Sequence, residues 1–371
     1  MSCKKIKCFT LVHADDNVAP NFASQSYDGV ALRTIYDIPM VTPAKDVKVV
    51  TVAIVIGYHS TTLLTDLSQY WGENLGAQGV PFPNVRVHTM PKQSPTDNAN
   101  LSAWNMESSL DLEMVANANP NADIWVIESS DISNESLCEA VKFACGDYVK
   151  ADVISMSWGS NDVRYNIPWN TYFNAPNVCF LASSGDTHTS SWPSVSPNIL
   201  SVGGTSLTST GSKTTAVRTG EFTWPYAGCG YSTTIVQPAY QSAVDQASAY
   251  RSTPDLALIA NPQTGVQVFY NGKQNTLGGT SVACPVFAGM LSAAIQLRYN
   301  NGKGPLSTVY KSPNDIHVPL YKTLTNGSYN QCFYDVRKGT NLSSHNAGTA
   351  FDIATGLGAP TWQGLQNLAN M

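Results

Sequence analysis

Charge is what this sequence has least of. Only 13% of its 371 residues are Asp, Glu, Lys or Arg, about half the usual share, and the formal net charge is −5. No stripe of Lys and Arg exists to neutralise phosphates, which argues against nucleic acid as a partner. The one basic cluster, Lys4–Lys7, reads as a solvated tail. No uninterrupted apolar run reaches ~18 residues, so no membrane-spanning helix is expected. The eight cysteines form no C-x-x-C, which argues against zinc ribbons and thioredoxin chemistry. Their even number permits disulfides without requiring them, and Cys284, set among small and apolar residues, reads as a buried filler. There is no H-E-x-x-H, so a zincin is excluded by spelling. Linkers, repeats and low-complexity segments are also missing, and a single domain is the economical reading.

What the chain does have is 43% hydrophobic residues, enough for a sizeable core. Continuous apolar runs alternate with amphipathic stretches: "VKVVTVAIVIG" from Val47, "ADIWVIES" from Ala122, "ADVISMSWG" from Ala151 and "VCFLASSGD" from Val178. Buried strands alternating with helices predict an α/β fold with a mostly parallel sheet covered on both faces. In such sheets functional groups gather at the C-terminal ends of the strands, where "SWG" and "SSGD" stand. Further on, Asn271-Gly272 predicts the turn of a hairpin that leads into a helix beginning at "GGTSVACPVFAG".

That last stretch presents Ser281 as a nucleophile at a helix start. A serine hydroxyl needs a base, yet none of the six histidines lies in an H-G-T-H-like context. Carboxylates are the other candidates. In "WNMESSLDLEM", Met106, Leu110 and Met114 recur every four residues and predict a helix. Glu107 and Asp111 then stand one turn apart on one face. Spacing alone leaves two readings: an exposed acidic stretch together with Glu113, or a buried pair in which one pKa rises. Asp186, ending "SSGD", is a third acid, although a Gly-Asp pair is equally a turn former.

Taken together, these pieces resemble the sedolisins, the serine-carboxyl peptidases with a subtilisin-like fold. "GGTSVACPVFAG" is similar to the family's nucleophile motif, "ESSLDLE" to its E-x-x-x-D helix and "SSGD" to its oxyanion-site acid, in the family's order. "ALRTIYDIP", "SMSWG", "SPNILSVGGT" and "PDLALIANPQTGVQVFYNG" agree, and the likeness runs from about residue 27 to the end. It implies a subtilisin-like three-layer fold, a central mostly parallel sheet flanked by helices. Residues 1–26 are then an irregular lead-in and residues 27–371 one catalytic domain, with no prodomain in this chain.

The resemblance further implies an acid-acting hydrolase of peptide bonds. Ser281 forms the acyl-enzyme, Glu107 and Asp111 act as the base pair, and Asp186 serves the oxyanion site. Ser157, Trp158 and Gly159 would line the substrate groove, although Trp158 suits core packing equally well. "FYDV" and "AGTAFDIATGLGAP" imply one structural Ca²⁺, held by the Asp335 and Asp352 carboxylates and the Val336, Gly348 and Ala350 carbonyls. Ser191 stands where some members carry a pocket acid, which argues against a strong preference for basic side chains. The expected partners are peptides or proteins, with no nucleic acid and no membrane, on a monomer in an acidic environment (secreted, or lysosome- or vacuole-like). Both an endopeptidase and a tripeptidyl-peptidase fit. The alternatives are a catalytically silent peptide-binding relative and a subtilisin-type hydrolase.

Overall fold

The computed structural model describes residues 6–12, 25–91, 98–244 and 248–371. At its centre lies an eight-stranded sheet. Its order is Val217–Thr223, Ile199–Thr210, Cys179–Ser183, Val153–Met156, Thr51–Gly57, Asp123–Ser129 and Asn84–Thr89, with Leu256–Ile259 also paired to Ile199–Thr210. Every pairing in it is parallel except that of Val217–Thr223. The apolar runs explain this. Thr51–Gly57 is buried at all seven positions, as a strand covered on both faces must be. The predicted mostly parallel α/β architecture is what the chain adopts.

Two 21-residue helices, Asn98–Ala118 and Thr280–Asn300, pack against each other and against the sheet. Gly289 permits the close approach, because a Cβ there would lie 2.5 Å from Ala118 Cβ and 3.0 Å from the Val115 carbonyl oxygen. Thr280–Asn300 also corrects the expectation drawn from apolar run length. It is long and apolar enough to cross a membrane, with a mean hydropathy of 1.5. Small and weakly polar residues interrupt the strict run without lowering the average, and 94% of that stretch is buried inside the fold.

The hairpin forms as predicted, Val266–Tyr270 against Lys273–Gly278, with φ of 56° at Asn271 and 73° at Gly272. Two positive φ angles in succession are what the tight hairpin turn requires. "ADVISMSWG", in contrast, is two strands. Val153–Met156 belongs to the central sheet, while Trp158–Asn161 joins a small antiparallel sheet between Lys7–Cys8 and Ser191–Trp192. Within the stretch read as an irregular lead-in, Lys7–Cys8 and Leu11–Val12 are thus paired strands, the latter against Leu277 and Gly278. Cys284 is fully buried, and the seven described cysteines are all free; Cys3 lies outside the described residues.

Candidate active site

The site is assembled where strand ends meet the two long helices. Gly279, with φ of 105°, turns the chain from the hairpin into the helix that begins at Thr280. The end of Cys179–Ser183 grips that start: Ser183 Oγ donates to Thr280 O at 2.9 Å, and Gly185 N donates to Thr280 Oγ1 at 3.2 Å. Asp186 completes the grip. Its Oδ1 accepts from Thr280 N at 2.9 Å and from Thr280 Oγ1 at 2.8 Å. Two donors on Oδ1 leave Oδ2 as the atom on which a proton can reside. Burial pushes the Asp186 pKa up to about 7, against a downward pull from the Thr280 bonds.

Asn98–Ala118 supplies the other two acids. Glu107 and Asp111 are both fully buried, so the exposed acidic stretch is ruled out. Burial raises the Glu107 pKa, and the neighbouring Ser281 hydroxyl and Thr10 only partly offset it. Burial and then the Glu107 charge drive Asp111 well above the ordinary carboxylate range. Two carboxyls so placed cannot both ionise easily. Ser157 Oγ donates to Asp111 Oδ1 at 2.7 Å, and Thr10 Oγ1 donates to Glu107 Oε2.

Each of the four expected residues keeps one buried oxygen without a hydrogen-bond partner: Ser281 Oγ, Glu107 Oε1, Asp111 Oδ2 and Asp186 Oδ2. A buried unpaired polar atom costs about 1–3 kcal/mol, and these residues also act on one another: the Ser281 hydroxyl and the Asp186 charge both bear on Glu107, and the Glu107 charge on Asp111. The five described histidines are engaged elsewhere. His59 pairs with Glu128 at 2.6 Å, His317 with Asp315 at 2.8 Å and His188 with Ser343 at 2.8 Å, while His88 stacks on Phe143 and His345 meets the edge of Tyr231. His13 lies outside the described residues.

A model of the subtilase family matches residues 97–339, a span that holds all four of these residues. The chain belongs to the subtilase family, among its sedolisin members. Sedolisin from Pseudomonas sp. (strain 101) is 28% identical over 88% of this chain, and kumamolisin from Bacillus sp. (strain MN-32) is 27% identical over 80%. Tripeptidyl-peptidase 1 from Rattus norvegicus is 27% identical over 70%. This sedolisin-family chain matches 58%, 56% and 51% of the length of those three relatives. Among solved structures, Pseudomonas sedolisin complexed with two molecules of pseudo-iodotyrostatin shares the fold at a TM-score of 0.74 and 24% identity, covering 94% of this chain and 98% of that one.

In this sedolisin-family chain the expected groove residues divide by backbone and side chain. Trp158 and Gly159 offer main-chain groups to the strand Lys7–Cys8. The Trp158 indole is fully buried and donates to Val55 O at 2.9 Å, so its side chain is core. Ser157 is also fully buried and serves Asp111. Thr280, Thr10 and Phe9 were not among the expected site residues. Thr280 stands within the nucleophile motif and was legible there, whereas Thr10 and Phe9 carry no sequence signal.

At the C-terminal loops, Asp335 Oδ1 accepts from Ala350 N at 3.0 Å and from the Tyr329 hydroxyl at 3.2 Å. Ala350 O and Leu357 O also lie 3.1 and 3.0 Å from that hydroxyl. One O–H faces three acceptors, an excess of oxygen that suits a hard cation. Asp352 Oδ2 accepts from Gly348 N at 3.0 Å, and Arg337 Nε lies 2.5 Å from Asp335 Oδ2. Among the described residues no group of three or more His, Cys, Asp or Glu is placed to hold a metal ion, so a cation here would lean on carbonyls. Val336 is buried in the same loop cluster.

Proposed function

We propose that this chain is a serine-carboxyl peptidase that hydrolyses peptide bonds in acid. The observation that carries the reading is the unpartnered buried oxygen on each of Ser281, Glu107, Asp111 and Asp186, with the five described histidines engaged elsewhere. Ser281 Oγ attacks the scissile carbonyl carbon while Glu107 takes its proton. Asp111, fixed by Ser157, orients Glu107 and shares a proton with it. The developing oxyanion is met by N–H groups at the start of the Thr280–Asn300 helix. Asp186, protonated on Oδ2, donates the second bond. Glu107 then returns the proton to the leaving amine, and water hydrolyses the acyl-enzyme.

The pH dependence follows from these roles. Asp186 donates only while neutral, which its pKa of about 7 allows in acid. The Glu107–Asp111 pair serves as base only while one proton remains between the two carboxyls. Peptide hydrolysis followed across pH is therefore expected to peak in acid and to vanish as Asp186 ionises. Full activity in mildly alkaline solution would sink the assignment. Trapping Ser281 with a peptide aldehyde, and losing the adduct in Ser281→Ala, separates an enzyme from a silent peptide binder.

Calcium is proposed as a structural ion. Asp335, Asp352 and the carbonyls of Val336, Gly348 and Ala350 would hold it, and its charge would neutralise two carboxylates within one loop cluster. Ala350 holds φ at 62°, a conformation costly for a residue with a Cβ. A ligand that uses its carbonyl would explain why that conformation is kept.

A further inference from the structure

The helix that carries Glu107 and Asp111 also carries a third buried acid, one that the mechanism leaves unused. Glu113 is fully buried, and its Oε2 accepts from Phe269 N in the hairpin at 3.0 Å. The backbone pattern explains why that donor is available. In an antiparallel pair only alternate residues exchange bonds across the ladder. The two-residue turn at Asn271-Gly272 puts Tyr270, Val268 and Val266 in bonded register with the returning strand. The N–H groups of Gln267 and Phe269 therefore point to the other edge. Tyr27 O takes the first at 2.8 Å, and Glu113 takes the second.

A second acid makes the same kind of tie. Asp66, in the helix Leu63–Glu73, accepts from Gly272 N at the hairpin turn at 3.2 Å and from Ser109 Oγ at 3.3 Å. Glu113 differs in having one open oxygen, since its Oε1 has no hydrogen-bond partner. The groups around it offer no relief. Asp66 brings a like charge. Tyr70 faces Glu113 from the same helix, and Asp28 and Arg33 face Tyr70 in turn. Arg33 gives its guanidinium to the Asn117, Ala118 and Ile38 carbonyls, and on the hairpin the Tyr270 hydroxyl pairs with Ser102. Burial drives the Glu113 pKa well above the ordinary carboxylate range, against a downward pull from the Phe269 N–H. A buried carboxyl with one donor, one open oxygen and a like charge nearby holds its proton, here on Oε1.

We propose that Glu113 is a positioning residue: as a neutral acid it latches the hairpin that delivers Ser281 to the helix that carries Glu107 and Asp111. This rests on the peptidase reading above. Phe269 and Ser281 belong to one continuous run of hairpin, Gly279 turn and helix start. On the other side, Glu113 and Glu107 share one helix and stand about 9 Å apart along it. The hydrogen bond thus ties the approach to the nucleophile to the element that bears the base. Without an acceptor the Phe269 N–H is left unpaired and the hairpin is free to shift. A displacement of about 1 Å at the reacting atoms can cost ~10²-fold in rate. The proton matters because an ionised Glu113 would repel Asp66, the other tie.

The test compares wild type, Glu113→Gln and Glu113→Leu by kcat and KM on a peptide substrate in acid, and by melting temperature from mild acid to neutrality. Gln keeps an acceptor for Phe269 N and carries no charge, so its kcat and KM are expected within about twofold of wild type. Leu keeps the bulk but not the acceptor, and its kcat is expected to fall about 10–100-fold with KM little changed. Should the Leu variant not fold, Glu113→Asp, an acid too short to reach Phe269 N, takes its place with the same expectation. The proton has its own readout: the decline of melting temperature toward neutrality is expected to be shallower in the Gln variant, which has no proton to lose. A Gln variant as impaired as Leu overturns the inference. So does a Leu or Asp variant that loses stability but keeps its kcat, or a Gln decline as steep as that of wild type. In each of these cases wild type still splits the peptide, and the peptidase reading stands. A wild type that splits no peptide overturns both.

Discussion

Asp186 is where one proton decides the chemistry. Thr280 occupies its Oδ1 with two donors, so the acid can act on an oxyanion only through a proton on Oδ2. Asp186→Ala removes that donor and is expected to lower kcat about 10²–10³-fold. Asp186→Asn supplies an N–H that does not titrate. Its pH–rate profile is expected to lose the descending limb near the Asp186 pKa of about 7 while keeping the limb set by Glu107 and Asp111. A limb unmoved in the Asn variant would assign that titration to another group. All four site residues were legible in the sequence because each sits in a short local spelling whose neighbours it needs: Gly279 for the turn, Thr280 for the clamp, one helical turn between the two acids. Phe9 and Thr10 were not. Thr10 meets Glu107 across 97 positions, and nothing in a short, aperiodic segment records a contact made only in three dimensions.

At the level of elements, the pairing of the two long helices sets the distance between nucleophile and base. Gly289 lies where they pack tightly, with Ala118 Cβ 2.5 Å from where its own Cβ would be. Gly289→Val is expected to cost about 1–3 kcal/mol or more by overpacking, read as a lowered denaturation midpoint. Activity should fall further than stability, because Ser281 rides on one helix and Glu107 on the other. Loss of stability with unchanged kcat would show that the helix spacing is not what aligns them. The C-terminal loops give a second expectation. If an ion holds Asp335 and Asp352, chelation should lower the melting temperature, by an amount that grows with the calcium concentration removed. An unchanged melting temperature would leave Arg337 as the charge that neutralises Asp335. Element types were legible from apolar runs, whereas the break at Ser157 was not. Continuity in hydrophobicity along "VISMSW", Val153–Trp158, does not show that Ser157 turns inward to Asp111 and sends Trp158 to another sheet.

For the whole molecule, the same buried acids couple stability to pH. Glu107, Asp111, Glu113 and Asp186 are all raised, chiefly by burial. In the unfolded chain each ionises near pH ~4. Between there and their raised folded values the native state binds more protons than the unfolded one, so stability falls as pH rises through that window. Asp255 works the other way. Burial alone would raise it, but Arg251, at 3.0 and 2.7 Å, outweighs this and holds its pKa low. Its contribution is present above the unfolded carboxylate value and is lost only in stronger acid. With charged residues at 13% of the chain, and exposed ion pairs worth about 0–1 kcal/mol each, the surface offers little to reverse the slope. The melting temperature, measured at constant calcium, is therefore expected to be highest in mild acid and to decline toward neutrality. A midpoint that stays level or climbs over that range would mean the four acids are ionised in the folded state, and Asp186 could then not donate to an oxyanion. Stability and catalysis would fail together at Asp186, since both depend on its retained proton.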